Sequence, residues 1–281
     1  MAYDLIVLGS GPAGLAAAVA ARGRNRSVLV LGNRWQDSPL AKAERVDNYP
    51  GLPGLTGVEL LEKFYRHAAE AGAEFVIGRA ISLLAWNGFS VTAGSQVYQG
   101  GALILAPGVI RLSKYPGEEE YLGRGVSYCA TCDGMLYRNR PVTVVGLAPD
   151  APQEANYLKS LGCQVVYVSP RRPQGLEEGI PYVKAGRLAI RGEDAVTALE
   201  ADGAVLPCAG VFVLRRAVAP ADLLPTLETE EGVIKVDRRM ATNLPGVFAA
   251  GDCTGGPLQV SKAVGEGHVA ALSACEFLDR Q

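Results

Sequence analysis

The 281-residue chain predicts an α/β protein with two Rossmann-like nucleotide-binding domains, the first built from both chain ends and a shortened second one inserted between them. Three observations point there. The apolar run DLIVLG at residues 4–9 leads into the glycine loop GSGPAG and then into a small-residue helix. A second strand–turn–helix–strand pattern opens at residue 142 with VTVVG. Near the end, GVFAAGD and a long amphipathic helix supply closing elements that complement the first domain.

A short, uninterrupted apolar run suits a parallel strand buried on both faces. Gly9, Gly11 and Gly14 then give G-x-G-x-x-G, and the alanines of LAAAVAARGR let the next helix pack closely on the sheet. SVLVLG at 27–32 is the second strand. In this context the glycines remove side chains where a pyrophosphate meets a helix N-terminus. An acid that often ends the second strand to hold ribose hydroxyls is missing; Gly32, Asn33 and Arg34 stand there. VELLEKFYRHAAEAGA at 58–73 has helical apolar spacing with Gly72 as a stop, EFVIG and SVTAG read as strands of an antiparallel insertion, and GALILAPG at 101–108 returns the chain to the first sheet. In the second pattern VTVVG, DAPQEANYLKSLG and CQVVYV are strand, helix and strand, followed by the proline- and charge-rich loop SPRRPQGLEEGIP. The expected boundaries are 1–115 and 235–281 for the first domain and 116–234 for the insert.

Composition is that of a globular protein: 48% hydrophobic and 20% charged, with a formal net charge of −2. A balance so near neutral gives no general attraction to nucleic acid, and no apolar run approaches the ~20 residues of a membrane span. MAYDLIVLGSG enters a strand without a basic leader, which reads as cytoplasmic. Of the cysteines at 129, 132, 163, 208, 253 and 275, only Cys129 and Cys132 are closely spaced. Cys163 and Cys275 read as small buried hydrophobes, and His67 and His268 as surface or helix-packing residues. The spacing in YCATCDG suits a reversible disulfide in one turn or half of a zinc site. Zinc needs two further ligands, and no second cysteine pair or cysteine–histidine cluster offers them, so no metal is expected. Redox exchange is the expectation, with Asp133 as candidate proton donor or acceptor for the thiolate steps.

GSGPAG, DNYPGLPGLTG, GRGVSYCATCDG, NLPGVFAAGDCTGG and AVGEGHVAAL, in that order, resemble the low-molecular-weight thioredoxin reductases across nearly the whole chain. The resemblance implies FAD, with Gly9, Gly11, Pro12, Ala13 and Gly14 around its pyrophosphate, Asp252 on its ribityl or phosphate region with Gly251 beside it, and Asn48 close to the flavin. It implies that Cys129 and Cys132 form the disulfide that accepts electrons from FAD, Cys132 near the ring, with Asp133 as the neighbouring acid/base. It further implies a thioredoxin-like protein acceptor and a homodimer.

The departures from that family fall mainly in the insert. Its glycine-rich fingerprint is replaced by GLAPDA at 146–151, where Ala148 adds a methyl at the place of closest approach and Pro149 removes a backbone donor. The element that should hold an NADP 2′-phosphate reads SPRRPQG, and the later glycine-bearing strand end reads GVFVLRRAVAP. In the first domain Pro107 replaces a threonine, and an arginine is absent before Gln259, leaving Gln259 and Lys262 as flavin contacts. The pattern resembles pyridine-nucleotide-independent members of the family that take electrons from ferredoxin, and Arg171, Arg172, Arg215 and Arg216 offer cationic pairs for an acidic carrier. Alternatives are a diflavin-linked disulfide oxidoreductase with a second FAD in the altered region, an NADPH-dependent thioredoxin reductase, and a non-enzymatic flavin module, against which the intact CATC weighs.

Overall fold

In the computed structural model, which describes residues 2–85, 88–94, 96–109, 114–215 and 220–281, the first apolar run becomes β1 (Ala2–Leu8), with Leu5, Ile6 and Val7 fully buried. The chain continues through α1 (Pro12–Arg22), β2 (Val28–Gly32), α2 (Gly57–Glu70), β3 (Glu74–Ile77), β4 (Ser82–Ala85), β5 (Phe89–Ala93) and β6 (Gln96–Leu105). Next come β7 (Val126–Ser127), α3 (Ala130–Asp133), β8 (Pro141–Gly146), α4 (Ala151–Ser160), β9 (Gln164–Ser169), β10 (Tyr182–Lys184), β11 (Leu188–Gly192), β12 (Val196–Ala201), β13 (Ala204–Pro207) and β14 (Gly210–Leu214). It ends with α5 (Pro220–Leu223), β15 (Thr229–Glu230), β16 (Val233–Ile234), β17 (Val247–Ala249) and α6 (Val260–Leu278).

Residues 1–110 and 218–281 make one compact unit and residues 111–217 a second. In the first, the strand order is β3-β2-β1-β6-β5-β4, and β17 pairs with the C-terminal half of β6. β17 aligns Val247, Phe248 and Ala249 with Leu103, Ile104 and Leu105, so the chain end completes the sheet begun by β1. The α1 and α6 helices meet through small residues; a Cβ at Gly267 would overlap the Ala13 carbonyl oxygen. SVTAG lies in antiparallel β5 as expected, but EFVI does not join it: β3 is the parallel edge partner of β2. The intervening α2 carries the chain back along the sheet, which makes the following strand parallel.

The second unit holds an all-parallel sheet, β10-β9-β8-β14-β7, and a separate antiparallel meander, β11-β12-β13. No helix or strand occupies residues 170–181, the proline- and charge-rich loop. The insert closes at residue 217, earlier than the expected 234. Leu224, Leu227 and Ile234 are buried with Leu8, Leu31 and Leu105 under the first sheet, so burial draws residues 218–234 to the first unit. Two core clusters lie within the first unit and two within the second. Among the described residues no helix is long and apolar enough to cross a membrane.

Candidate active site

The glycine loop is built by two close approaches and one opening. Gly9 has φ +126°, and a Cβ there would overlap the Ala106 carbonyl oxygen; a Cβ at Gly14 would overlap the carbonyl of Gly9. These two glycines fix the turn. Gly11 differs: its φ is −84° and its Cβ would enter open space. It caps α1, whose first residue is Pro12, with Ala13 and Gly14 following; no side chain caps this helix end and its first turn carries no acid. An uncapped helix N-terminus with an open face beside it fits a pyrophosphate, and the side-chain-free position is the one a phosphate would approach. Ser10 Oγ donates to the Asn33 carbonyl, tying the loop to the end of β2 where the ribose-binding acid is absent.

Beside this loop in the first unit, Gly251 (φ +89°) and Asp252 follow β17, and a Cβ at Gly251 would come within 2.9 Å of the Ala13 side chain. The segment is held from α6: Gly251 N–H donates to Glu266 Oε2 (2.9 Å), as does Thr254 Oγ1 (2.9 Å). Lys262 Nζ donates to the carbonyls of Gly251 (2.8 Å) and Gly255 (2.6 Å) and pairs with Glu266 (3.0 Å). Lys262, expected against the flavin, thus grips the loop backbone. Glu266 was missed in the sequence, although a Lys–Glu pair at i,i+4 following a glycine-rich loop is a usable signal. Burial raises the Asp252 carboxyl above its ordinary value; Lys262 counters this and Glu266 adds to it. Asn48 Nδ2 donates to Gln259 Oε1 (2.8 Å), bringing together two candidates 211 residues apart, with Gln259 at the N-cap of α6. Cys253 plays a structural part: burial pushes its thiol up to about 12.

In the second unit Cys129 and Cys132 are joined by a disulfide, with Cα atoms 5.3 Å apart. Cys129 is the N-cap of α3, its N–H donating to Ser127 Oγ (3.0 Å), and the Cys132 N–H donates to Cys129 Sγ (3.0 Å). Cys129 is buried and Cys132 exposed. Asp133 is partly exposed, and its charge, after burial itself, raises the Tyr137 hydroxyl above its ordinary value. The turn sits tightly on α4, since a Cβ at Gly134 would come within 2.8 Å of Leu158 and 2.9 Å of Leu161. Glu154 of α4, also missed in the sequence, accepts from the Ala130 N–H at 3.2 Å. Among the described residues no group of three or more metal-ligating side chains occurs.

In GLAPDA the N–H groups at 147, 148 and 151 are engaged by backbone carbonyls. The N–H groups of Leu147 and Ala148 both donate to the Leu214 carbonyl (2.9 Å each), and Ala151 N–H donates to the Ala148 carbonyl (3.2 Å). Pro149 and Pro152 have no N–H to offer. The fully buried Tyr167 closes over Gly146, where its hydroxyl stands in the place a Cβ would need. Of the four arginines read as docking groups, Arg171 and Arg172 are exposed, with Arg172 over the Tyr182 ring (5.7 Å). Arg215 is not a docking group. It is 7% exposed and holds the fully buried Glu118 through both terminal nitrogens, a second bond being 2.7 Å long. Arg216 lies outside the described residues.

A family model described as pyridine nucleotide-disulphide oxidoreductase matches residues 3–267. The chain belongs to this family. It is an FAD-dependent, thioredoxin reductase-like oxidoreductase. Among curated relatives, the thioredoxin reductase of Listeria monocytogenes is 32% identical over 99% of this chain and 94% of its own length, and that of Aquifex aeolicus is 34% identical over 98% and 93%. Among solved structures, a ferredoxin-flavin thioredoxin reductase from Clostridium acetobutylicum is 42% identical, covers 100% of this chain and 99% of its own, and superposes with a TM-score of 0.91. The thioredoxin reductase of Lactococcus lactis is 30% identical, covers 99% and 100%, and superposes at 0.58.

Proposed function

We propose that this chain reduces thioredoxin-like proteins with electrons taken from ferredoxin, and that pyridine nucleotides do not serve it. The observation that carries the reading is the β8–α4 turn, where the N–H groups of Leu147 and Ala148 are engaged by the Leu214 carbonyl. A dinucleotide pyrophosphate needs such donors turned outward. The likeness to a solved ferredoxin-flavin thioredoxin reductase supports the same donor. When bound, FAD supplies a carrier able to collect electrons and deliver them as a pair to a disulfide.

The remaining steps belong to the chain's own residues. Reduction breaks the Cys129–Cys132 bond and takes up two electrons and two protons, with Asp133 positioned in sequence to pass a proton. We assign electron uptake from the cofactor to Cys132 and acceptor chemistry to Cys129: the Cys129 thiolate would attack the acceptor disulfide, displacing one of its sulfurs, and Cys132 would then resolve the mixed disulfide and close the pair. Met135 and Leu136, 57% and 70% exposed, lie three and four residues after Cys132 and offer an apolar surface for a protein acceptor. Gly9, Gly11, Pro12, Ala13 and Gly14, with Asn48, Gly251, Asp252 and Gln259, are the residues we assign to FAD. A cytoplasmic setting and a homodimer complete the reading, the latter tested by sedimentation.

The test is anaerobic bleaching of the bound flavin by NADPH, NADH and reduced ferredoxin, each at low and high ionic strength. Ferredoxin should bleach quickly and lose its advantage as salt rises. Fast bleaching by NADPH overturns the proposal, and two FAD per chain would favour the diflavin alternative. The double variant Ala148→Gly/Pro149→Gly should not acquire NADPH activity.

A further inference from the structure

We infer that Glu154 is a positioning residue for the redox pair, one that sets how readily Cys129 ionises by holding a negative charge against the turn that carries it. The inference rests on reading Cys129–Cys132 as the working disulfide, and on no assumption about donor or acceptor. Glu154 lies in the first turn of α4, where a nucleotide-binding domain would receive a phosphate. It is only 8% exposed, and its Oε2 accepts from the N–H of Ala130, the fully buried residue between Cys129 and Thr131. The first turn of α4 is therefore attached to the redox turn by its own carboxylate.

Chemistry gives this contact a direction. Cys129 Sγ is the side-chain cap of the turn: it accepts from the Cys132 N–H at 3.0 Å and lies 3.4 Å from Thr131 Oγ1. Such donors favour a thiolate once the disulfide opens. A carboxylate taking the neighbouring N–H opposes them, because like charges disfavour ionisation in a low-dielectric interior. Glu154 thus keeps the reduced Cys129 more protonated than its cap alone would, and the disulfide correspondingly harder to reduce. The balance is plain: two electrons from the reductant break one S–S bond, and each sulfur takes a proton from solvent below its pKa or remains a thiolate above it.

The experiment equilibrates holoprotein with dithiothreitol redox buffers between pH 6 and 9 and counts free thiols at 129 and 132 by alkylation and mass spectrometry after denaturing quench. Glu154→Gln preserves size and an acceptor oxygen while removing charge; Glu154→Asp retains charge. Glu154→Gln should lower the pH at which the equilibrium changes slope by roughly one unit and favour the reduced pair about tenfold above that pH, while Glu154→Asp keeps the wild-type slope change. A Glu154→Gln profile that coincides with wild type overturns the inference. So does an equal shift in both variants, which would indicate packing alone. Full FAD absorbance in each variant secures the comparison, and failure of ferredoxin as donor would leave these outcomes intact.

Discussion

Two glycines of one loop have different tasks, and their replacement separates folding from cofactor binding. The Cβ of residue 11 has open space, so Gly11→Val should fold with a near-native melting temperature yet purify with little FAD, read from the ratio of flavin to protein absorbance. Gly14→Ala instead pushes a methyl into the Gly9 carbonyl and should cost about 1–3 kcal/mol of stability. Arg215 illustrates the same separation in the second unit. Glu118 is fully buried and receives Arg215, the Tyr115 N–H (2.9 Å) and the Tyr128 hydroxyl (3.0 Å). Arg215→Met leaves that charge without its counterion and should cost ~3–5 kcal/mol in chemical denaturation. An arginine used only for docking would change stability little. Tyr128 precedes Cys129, so the network also anchors the entry to the redox turn.

At the scale of elements, α2 starts with a reciprocal capping box: Thr56 Oγ1 accepts from the Glu59 N–H (3.2 Å), and Glu59 Oε2 accepts from the Thr56 N–H (2.8 Å). Thr56→Ala should cost about 1 kcal/mol. The Thr56 backbone N–H, and then its hydroxyl, hold the exposed Glu59 carboxyl below its ordinary 4.5. A depressed carboxyl contributes stability that is fully present above 4.5 and is lost as pH falls through the lowered value. Glu59→Gln should therefore flatten the acid limb of the stability profile below that pH. The β8–α4 element is the converse case, a strand–turn–helix that keeps its shape while its donors turn inward. Its packing role is visible in Tyr167 over Gly146; Gly146→Ala should destabilise the second unit, measured by hydrogen exchange in β8 and β9, because the added methyl would overlap the hydroxyl of the buried Tyr167.

At the scale of the molecule, each unit carries its own core clusters, and the first is closed by strands from both chain ends. Joining residues 1–110 to 220–281 through a short linker should therefore yield a folded protein that retains FAD and has no disulfide reductase activity. Ending the chain at residue 245 should abolish both folding and flavin binding, since β6 loses β17 and α1 loses α6. Retention of flavin by the truncated chain would show that the closing elements do not complete the cofactor domain.

Local sequence determined what depends on local chemistry. The apolar run of β1, the glycines at 9, 11 and 14, the CATC spacing and Pro149 of GLAPDA with Pro152 just after it each constrain backbone or donors within a few residues, so their strands, turns and missing N–H groups were legible. Tertiary structure decided what depends on partners distant in the chain. EFVI became a parallel edge strand because α2 returns it beside β2, and residues 218–234 joined the first unit because Leu224, Leu227 and Ile234 are buried there. Arg215 changed from a surface cation to a buried counterion because Glu118, 97 residues earlier, faces it. Glu154 reached Ala130 only because α3 packs on α4. A motif records the geometry of its own backbone; the partner of a charge is chosen by burial, where an unpaired ion is too costly to keep.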